Sequence, residues 1–151
     1  MLDRPALPTV TLNVNGTDHP VQAAPFASLA DTLREGLKLT GTKIGCDAGD
    51  CGACTVLMDG AQVCACLVAT AQAEGRAITT IEAEDPLIDR LRDAFLAQGA
   101  AQCGICTPGM IMAATDLLAR NPRPSRQEIE DGIGGVLCRC TGYVKIVEAI
   151  D

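Results

Sequence analysis

The chain has 151 residues, of which 48% are hydrophobic, and a net charge of −7. This length suits one domain or two small ones with a packed core. The negative charge excludes a nucleic-acid-binding surface, which needs basic patches to neutralise phosphates.

No stretch approaches the roughly 20 apolar residues of a membrane span, and Met1–Pro5 lacks the features of a signal peptide. We therefore expect a cytoplasmic protein, in which nine cysteines indicate metal ligands; a secreted disulfide module is the lesser alternative.

The first half of the sequence predicts a small, mostly β unit. Its strand segments alternate polar and apolar residues or flank turn signals such as Asn15-Gly16 and Asp59-Gly60. They are Thr9–Val14 with the segment that returns from it, Thr55–Met58, Gln62–Leu67 and Ala77–Ile81. Ser28, with Asp31 three positions later, predicts a capped helix of about two turns that packs on the sheet.

The second half changes to helical periodicity after Glu84 and predicts four helices in two hairpins. The helices are Asp85 to about Gly99, Thr107 to Asn121, Ser125 to Ile133, and about Thr141 to Ile150. We place one domain over residues 1–84 and a helical domain over residues 85–151. Thr107 and Thr141 each follow a cysteine, and each is predicted to cap the next helix. Both cysteine-bearing turns should then meet at one end of the bundle, with helix N-termini aimed at an anionic group.

The first constellation of cysteines is Cys46-x4-Cys51-x2-Cys54, in a glycine-rich loop. This spacing matches the plant-type ferredoxin pattern for a [2Fe-2S] cluster, and the glycines let backbone N–H groups approach sulfur. A four-cysteine zinc site would explain the thiolates but not the glycines. The fourth ligand stays open, because Cys64 and Cys66 lie two apart on a predicted strand and face the same side. The other thiol would then be a small buried apolar group.

The second constellation combines Cys103-x2-Cys106 with Cys138-x-Cys140. One intervening residue is too short for an easy disulfide and is closer than the usual spacing of paired zinc ligands. Zinc is a fair competitor for this constellation alone. Beside a ferredoxin-type loop, a second [2Fe-2S] cluster is the more economical interpretation, and two clusters in one small chain predict an electron relay.

These residues carry a resemblance to a known family. The chain resembles the iron–sulfur subunit, or the corresponding N-terminal region, of the molybdenum hydroxylases, the family of xanthine dehydrogenase, aldehyde oxidoreductase and carbon monoxide dehydrogenase. The likeness covers nearly the whole chain and rests mainly on Gly45–Val56, Gln102–Gly109 and Leu137–Tyr143. It implies an α+β fold, in which a plant-ferredoxin-like β-grasp domain precedes a four-helix domain of two pseudo-symmetric hairpins, each domain with a [2Fe-2S] cluster.

The resemblance also implies roles for single residues. The family's fourth ligand precedes a leucine, as Cys66 precedes Leu67, which leaves Cys64 as an extra thiol. Gln102 and Cys140 match positions that lie against the molybdopterin cofactor. The implied ligands are Cys46, Cys51, Cys54, Cys66, Cys103, Cys106, Cys138 and Cys140.

The implied activity is electron transfer within an oxidoreductase, with no substrate site on this chain. Electrons would pass from a molybdopterin-binding large subunit through two [2Fe-2S] clusters to FAD in a medium subunit.

Arg139 is equally well explained as a solvated loop residue and as a cation beside the thiolates or at a partner interface. The competing functions are a cysteine-rich zinc scaffold and a freestanding ferredoxin.

Overall fold

The first half of the chain forms a mixed five-stranded sheet. The computed structural model describes residues 6–151, so the expectation for Met1–Pro5 lies outside the described residues. The strands are β1 (Thr9–Val14), β2 (Thr17–Gln22), β3 (Thr55–Met58), β4 (Ala61–Cys64) and β5 (Ala77–Thr79). Their order is β2-β1-β5-β3-β4, with β1 and β5 parallel and the other neighbours antiparallel. Both predicted hairpins are confirmed, and β5 ends two residues earlier than predicted.

A short helix covers one face of this sheet. It begins after Ser28, whose Oγ accepts the N–H of Asp31 at 3.0 Å. The helix α1 (Leu29–Asp31) continues through Thr32–Gly36 as a π-helical turn. Its buried leucines share one core with the inward side chains of β1. The predicted capped helix is therefore confirmed.

The strand β4 is shorter than the sequence predicts. Its pairing with β3 ends at Cys64, and the N–H of Leu67 then donates to the Cys64 carbonyl at 2.9 Å, which turns the chain. The carbonyl of Ala65 accepts the N–H of Ala30, so this turn is bound to helix α1 instead of extending the sheet. Because Cys66 lies beyond the strand, the expectation that Cys64 and Cys66 share one strand face is wrong.

Four helices form the second half of the chain, as predicted. They are α2 (Pro86–Gln98), α3 (Thr107–Arg120), α4 (Arg126–Ile133) and α5 (Val144–Ile150). The side chain of Asp85 caps α2, which ends at Gly99 in a left-handed conformation. Ser125 and Glu128 form the predicted capping box of α4. Among residues 6–151, no helix has the length and apolar character that a membrane crossing requires.

The predicted capping role of Thr107 is wrong. Cys106 occupies the cap position of α3 without a capping hydrogen bond, and Thr107 is the first helical residue. The buried hydroxyl of Thr107 has no hydrogen-bond partner among the described residues. Thr141 comes closer to the expected role, because its Oγ1 accepts the N–H of Tyr143 at 3.2 Å, one residue before α5 begins.

The sheet half, which comprises β1 to β5 with α1, packs directly against the helical half, which comprises α2 to α5. Both faces of β3 are covered, because Val56 belongs to the core of the sheet and Leu57 to the core of the helices. The buried carboxylate of Asp116 on α3 accepts a hydrogen bond from Gln62 of β4 at 3.0 Å. It is also paired with Arg120 at 2.8 Å. Apolar packing and a buried polar contact thus hold the two halves together.

Candidate metal centres

The first set of cysteines gathers around the loop between α1 and β3. The Sγ of Cys46 accepts the backbone N–H groups of Ala48 and Cys51, both at 3.4 Å. The Sγ of Cys54 accepts the N–H of Cys66 at 3.5 Å. The loop and the turn after β4 therefore bring together the four thiols that the family resemblance implies for one centre. Backbone N–H groups aimed at sulfur stabilise a thiolate or a thiolate-bound cluster.

Glycine is required where this loop closes on itself. A Cβ on Gly45 would lie 2.8 Å from the Sγ of Cys51. Gly49 has a φ of +79°, and its Cβ would lie 2.2 Å from the Cδ1 of Leu67. A side chain at position 45 would displace the sulfur of Cys51, whereas position 49 favours glycine through its left-handed backbone, and a side chain there would push the Leu67 side chain aside. The glycine-rich composition is thus explained by the space that the sulfurs and the neighbouring turn occupy.

The thiols of the first set have two different environments. Cys46 is exposed, and N–H donation, mainly from Cys51, lowers its pKa from 9.0 to about 7. Burial raises the pKa of Cys54 and raises that of Cys66 to about 11. One thiol is therefore readily ionised near neutral pH, whereas its buried neighbours need a bound cation to become thiolates.

Cys64 also lies beside this loop. Its Sγ donates to the carbonyl of Gly49 at 3.8 Å, and burial raises its pKa. The side chain of Cys64 interacts with the side chain of Cys54, and the side chain of Cys66 does the same. The surroundings of the first centre therefore contain five thiols. Their contacts place Cys64 and Cys66 close to the same partner.

The second set of cysteines lies where the turn before α3 meets the turn before α5. The Sγ atoms of Cys103 and Cys140 are 3.5 Å apart, and the side chains of Cys106 and Cys138 also interact. The expectation that the two turns meet is confirmed. A cavity of about 210 Å³ lies between them. Its walls are formed by Cys103, Ile105, Cys106, Leu137, Cys138, Arg139 and Cys140.

The second set shows the same division between exposed and buried thiols. Burial raises the pKa of Cys106 to about 12. Exposed Cys103 has a lowered pKa, mainly because of the N–H of Ile105. Burial opposes ionisation of Cys138, but hydrogen bonds from Thr141, Cys106 and Cys140 together outweigh it and lower the pKa. The side chains of Cys138 and Thr141 are 3.1 Å apart. The pKa of Cys140 is raised by its hydrogen bond to Cys103.

The donor sets fit [2Fe-2S] clusters. Each set contains thiols that approach in pairs, and a [2Fe-2S] cluster takes four thiolates, two for each iron. A zinc site instead needs four ligands around one ion. The thiol pairs, the N–H donors at sulfur and the glycine-lined loop all suit a two-iron group.

Gln102 and Cys140, for which the family resemblance implies contact with molybdopterin, are joined to each other. The Nε2 of Gln102 donates to the carbonyl of Cys140 at 3.1 Å. Both residues are exposed. The hydrogen bond positions the amide of Gln102 beside an outward-facing thiol of the second set.

Two contacts at the second set were not predicted from the sequence. The hydroxyl of Tyr143 accepts the N–H of Cys138 at 2.9 Å, and the N–H of Leu137 donates to the carbonyl of Cys51 at 2.8 Å. Tyr143 has a left-handed φ of 69°. A tyrosine five residues after a cysteine is a weak signal for the first contact. The second joins residues 86 positions apart, and the sequence carries no signal for it.

Comparisons with known proteins agree with this arrangement of cysteines. Residues 12–80 match the family model described as 2Fe-2S iron-sulfur cluster binding domain, and residues 77–151 match that described as [2Fe-2S] binding domain. The nicotine 6-hydroxylase small subunit of Paenarthrobacter nicotinovorans is 49% identical, over 93% of this chain and 86% of the relative. The xanthine dehydrogenase iron-sulfur-binding subunit of Escherichia coli O157:H7 is 44% identical, over 94% and 91%.

Solved structures show the same likeness. Quinoline 2-oxidoreductase from Pseudomonas putida 86 aligns with a TM-score of 0.91 and 46% identity, over 96% of this chain and 91% of the matched chain. Aldehyde oxidoreductase from Desulfovibrio desulfuricans aligns with a TM-score of 0.89 and 43% identity, over 95% of this chain but 16% of that longer chain. These relatives are oxidoreductases or subunits of them. The chain belongs to the iron–sulfur subunits of the molybdenum hydroxylase family.

Proposed function

We propose that this chain holds two [2Fe-2S] clusters and relays electrons from a molybdopterin site in a large partner subunit to FAD in a medium partner subunit. The observation that carries the proposal is the gathering of eight cysteines into two four-thiol sets, one in each half of the molecule. Family membership makes the chain part of an oxidoreductase without a substrate site of its own.

The proposed ligands divide equally between the halves. They are Cys46, Cys51, Cys54 and Cys66 in the sheet half, and Cys103, Cys106, Cys138 and Cys140 in the helical half. A [2Fe-2S] cluster, when bound, accepts and releases a single electron. The protein supplies N–H donors to Cys46 and Cys54, which favour the more negative state and so adjust the reduction potential. The glycines at positions 45 and 49 keep side chains out of this first site.

The helical half would face the molybdopterin, and the sheet half would face FAD. Support for this direction comes from Gln102 and Cys140, which are exposed and bonded to each other beside the second set. Arg139 lines the same cavity as the cysteines, where its charge can interact with thiolates or with an anionic cofactor. In this arrangement the helical half receives electrons and the sheet half delivers them.

The two halves correspond to two domains, residues 1–84 and 85–151. The first is a plant-ferredoxin-like β-grasp domain, which is supported by the mixed sheet crossed by one helix. The second is a pair of pseudo-symmetric helix hairpins, which is supported by the meeting of two cysteine turns at the starts of α3 and α5. We place the protein in the cytoplasm, where thiols stay reduced and available as ligands.

Metal analysis and visible absorption of the purified chain test this function. We expect about four irons per chain, two for each [2Fe-2S] cluster, acid-labile sulfide in equal amount, and a red-brown colour. Two zinc ions and no colour would instead establish the zinc scaffold. Co-purification with two larger subunits separates the relay from a freestanding ferredoxin, which would remain a monomer.

Serine variants test the choice of ligand in the first set. We expect Cys66→Ser to lose one of the two cluster signals in electron paramagnetic resonance, because a ligand is removed. Cys64→Ser serves as the matched control and should keep both signals. The opposite result would make Cys64 the fourth ligand.

A further inference from the structure

One cysteine of the second set has a hydroxyl group beside its sulfur. The Sγ of Cys138 lies 3.1 Å from the Oγ1 of Thr141. In the first set, by contrast, the sulfurs of Cys46 and Cys54 accept hydrogen bonds from backbone N–H groups. Among the hydrogen bonds of residues 6–151, the contact with Thr141 is the one between a cysteine sulfur and a side-chain hydroxyl. A side-chain substitution can therefore remove it and leave every backbone donor in place.

The backbone N–H of Tyr143 determines the direction of this hydrogen bond. This N–H donates to the Oγ1 of Thr141 at 3.2 Å. The oxygen thus accepts one bond and keeps its single hydrogen for another partner. A cysteine that binds metal does so as a thiolate, which has no proton to donate. When Cys138 is a thiolate, the hydroxyl of Thr141 is therefore the donor and the sulfur of Cys138 is the acceptor.

The side chain of Tyr143 holds the backbone around Cys138 in place. Its hydroxyl accepts the N–H of Cys138 at 2.9 Å and donates to the carbonyl of Val136 at 3.4 Å. Its φ of 69° lies in the left-handed region, which a bulky residue adopts only where its surroundings enforce it. The sulfur of Cys138 and the hydroxyl of Thr141 are thus both fixed from one residue.

We propose that the Thr141 hydroxyl raises the reduction potential of the cluster in the second set by donating a hydrogen bond to the Cys138 sulfur. A hydrogen bond to a ligand sulfur favours the more negative, reduced state of the bound group. Cys138 is partly buried, and a hydrogen bond away from bulk water is electrostatically stronger than one in water. Thr141 therefore favours the arrival of an electron in the helical half.

This inference rests on the proposed function, because it presumes that the second set holds a [2Fe-2S] cluster. Thr141 assists the entry of one electron from the molybdenum side. The donor of that electron is oxidised by one electron, and the cluster of the second set is reduced by one. No covalent bond forms or breaks, and the hydrogen stays on the oxygen of Thr141.

Redox titration of the full chain with both clusters tests the role of the hydroxyl. Thr141→Val removes the hydroxyl and keeps the branched shape, whereas Thr141→Ser keeps the hydroxyl. Electron paramagnetic resonance follows each cluster separately, and the signal that survives removal of a ligand from the first set identifies the second. We expect Thr141→Val to lower the potential of the second cluster and leave that of the first unchanged. Thr141→Ser should restore the wild-type potential.

Thr115→Val is the matched control in the same half of the molecule. Thr115 is also buried, but its hydroxyl donates to the carbonyl of Ile111 at 2.8 Å within helix α3. We expect this variant to leave both potentials at their wild-type values. An equal shift in Thr115→Val and Thr141→Val, or in Thr141→Ser and Thr141→Val, would show a general effect of substitution and would overturn the proposal.

Thr141→Ala replaces Thr141→Val if the valine variant does not assemble the second cluster. If both fail while Thr141→Ser assembles normally, the hydroxyl is needed for assembly and the proposal is wrong. The proposed function fails differently, because a wild-type chain without two iron–sulfur signals would refute it before any potential is measured. A wild-type potential in Thr141→Val, with both signals intact, would overturn the role of the hydroxyl alone.

Discussion

At the scale of single residues, each cysteine set combines accessible thiols that ionise easily with buried thiols that do not. Cys46 is exposed and has a pKa of about 7. Cys106 is 7% exposed, and burial raises its pKa to about 12. An incoming iron centre would therefore find a ready thiolate at the surface first. The buried thiols ionise only when the metal's charge replaces their protons.

This difference predicts an order of chemical modification. In the chain freed of iron, we expect iodoacetamide near neutral pH to modify Cys46 first and Cys106 last, because the thiolate is the reactive form. The rate at Cys46 should fall as the pH is lowered through about 7. Peptide mass spectrometry over time measures both rates. In the urea-unfolded control the two cysteines should react alike, and equal rates in the folded chain would contradict the assignment.

The grouping of the cysteines was predictable from spacing and resemblance, but their surroundings were not. The alternation of Gln62–Leu67 predicts one strand, yet the chain turns after Cys64 because helix α1 binds the carbonyl of Ala65. The bond between Leu137 and Cys51 depends on two distant segments meeting in the folded molecule. A sequence pattern reports local preference, whereas these features arise from tertiary contacts.

At the scale of elements, helix ends follow local rules well. Pro86, Gly99 and Ser125 mark helix boundaries in the sequence and do so in the structure. Thr107 is the exception, because the cysteine before it takes the cap position and leaves its hydroxyl buried without a partner among the described residues. The start of α3 is thus determined by the placement of Cys106 and not by the best capping residue.

The capping box of α4 has a pH dependence that can be measured. The N–H and hydroxyl of Ser125 donate to Glu128 at 2.7 Å and lower the pKa of Glu128 below its ordinary 4.5. A depressed carboxyl pKa stabilises the fold above the unfolded pKa, and that contribution is lost as pH falls through the folded pKa. In Glu128→Gln, we expect lower stability than wild type near neutral pH and a difference that shrinks below about pH 4.

Urea unfolding at several pH values measures this effect. The control is Glu130→Gln on the same helix, whose carboxylate pairs with exposed Arg126 and takes no part in the cap. Surface pairs of this kind contribute about 0–1 kcal/mol. A difference between wild type and Glu128→Gln that stays constant with pH would contradict the role of the ionised carboxylate.

At the scale of the whole molecule, the junction between the sheet half and the helical half combines apolar packing with a buried charge. The halves share packing across β3 and the close backbone approach at Gly52. Asp116 adds a buried charge that Gln62 and Arg120 both satisfy. Such a contact is costly to break, because removing one partner leaves the others without a counterpart.

We expect Asp116→Ala to destabilise the chain by about 1.5–3 kcal/mol, the range for hydrogen bonds to a charged group. Urea unfolding followed by both circular dichroism and cluster absorbance measures the loss. Glu148→Ala, which removes an exposed pair with Lys145, is the control and should cost about 0–1 kcal/mol. A cost for Asp116→Ala no larger than that of the control would show that the junction does not depend on this carboxylate.

The bond between Cys51 and Leu137 also has a consequence for the order of events during biosynthesis. The first cysteine set is complete once Cys66 is made, but Cys138 and Cys140 follow more than 70 residues later. At about 5–20 residues per second, several seconds pass between the synthesis of Cys51 and that of Leu137. The backbone bond between the two cysteine segments therefore forms late, and a chain released before Leu137 would lack both this bond and the last two cysteines.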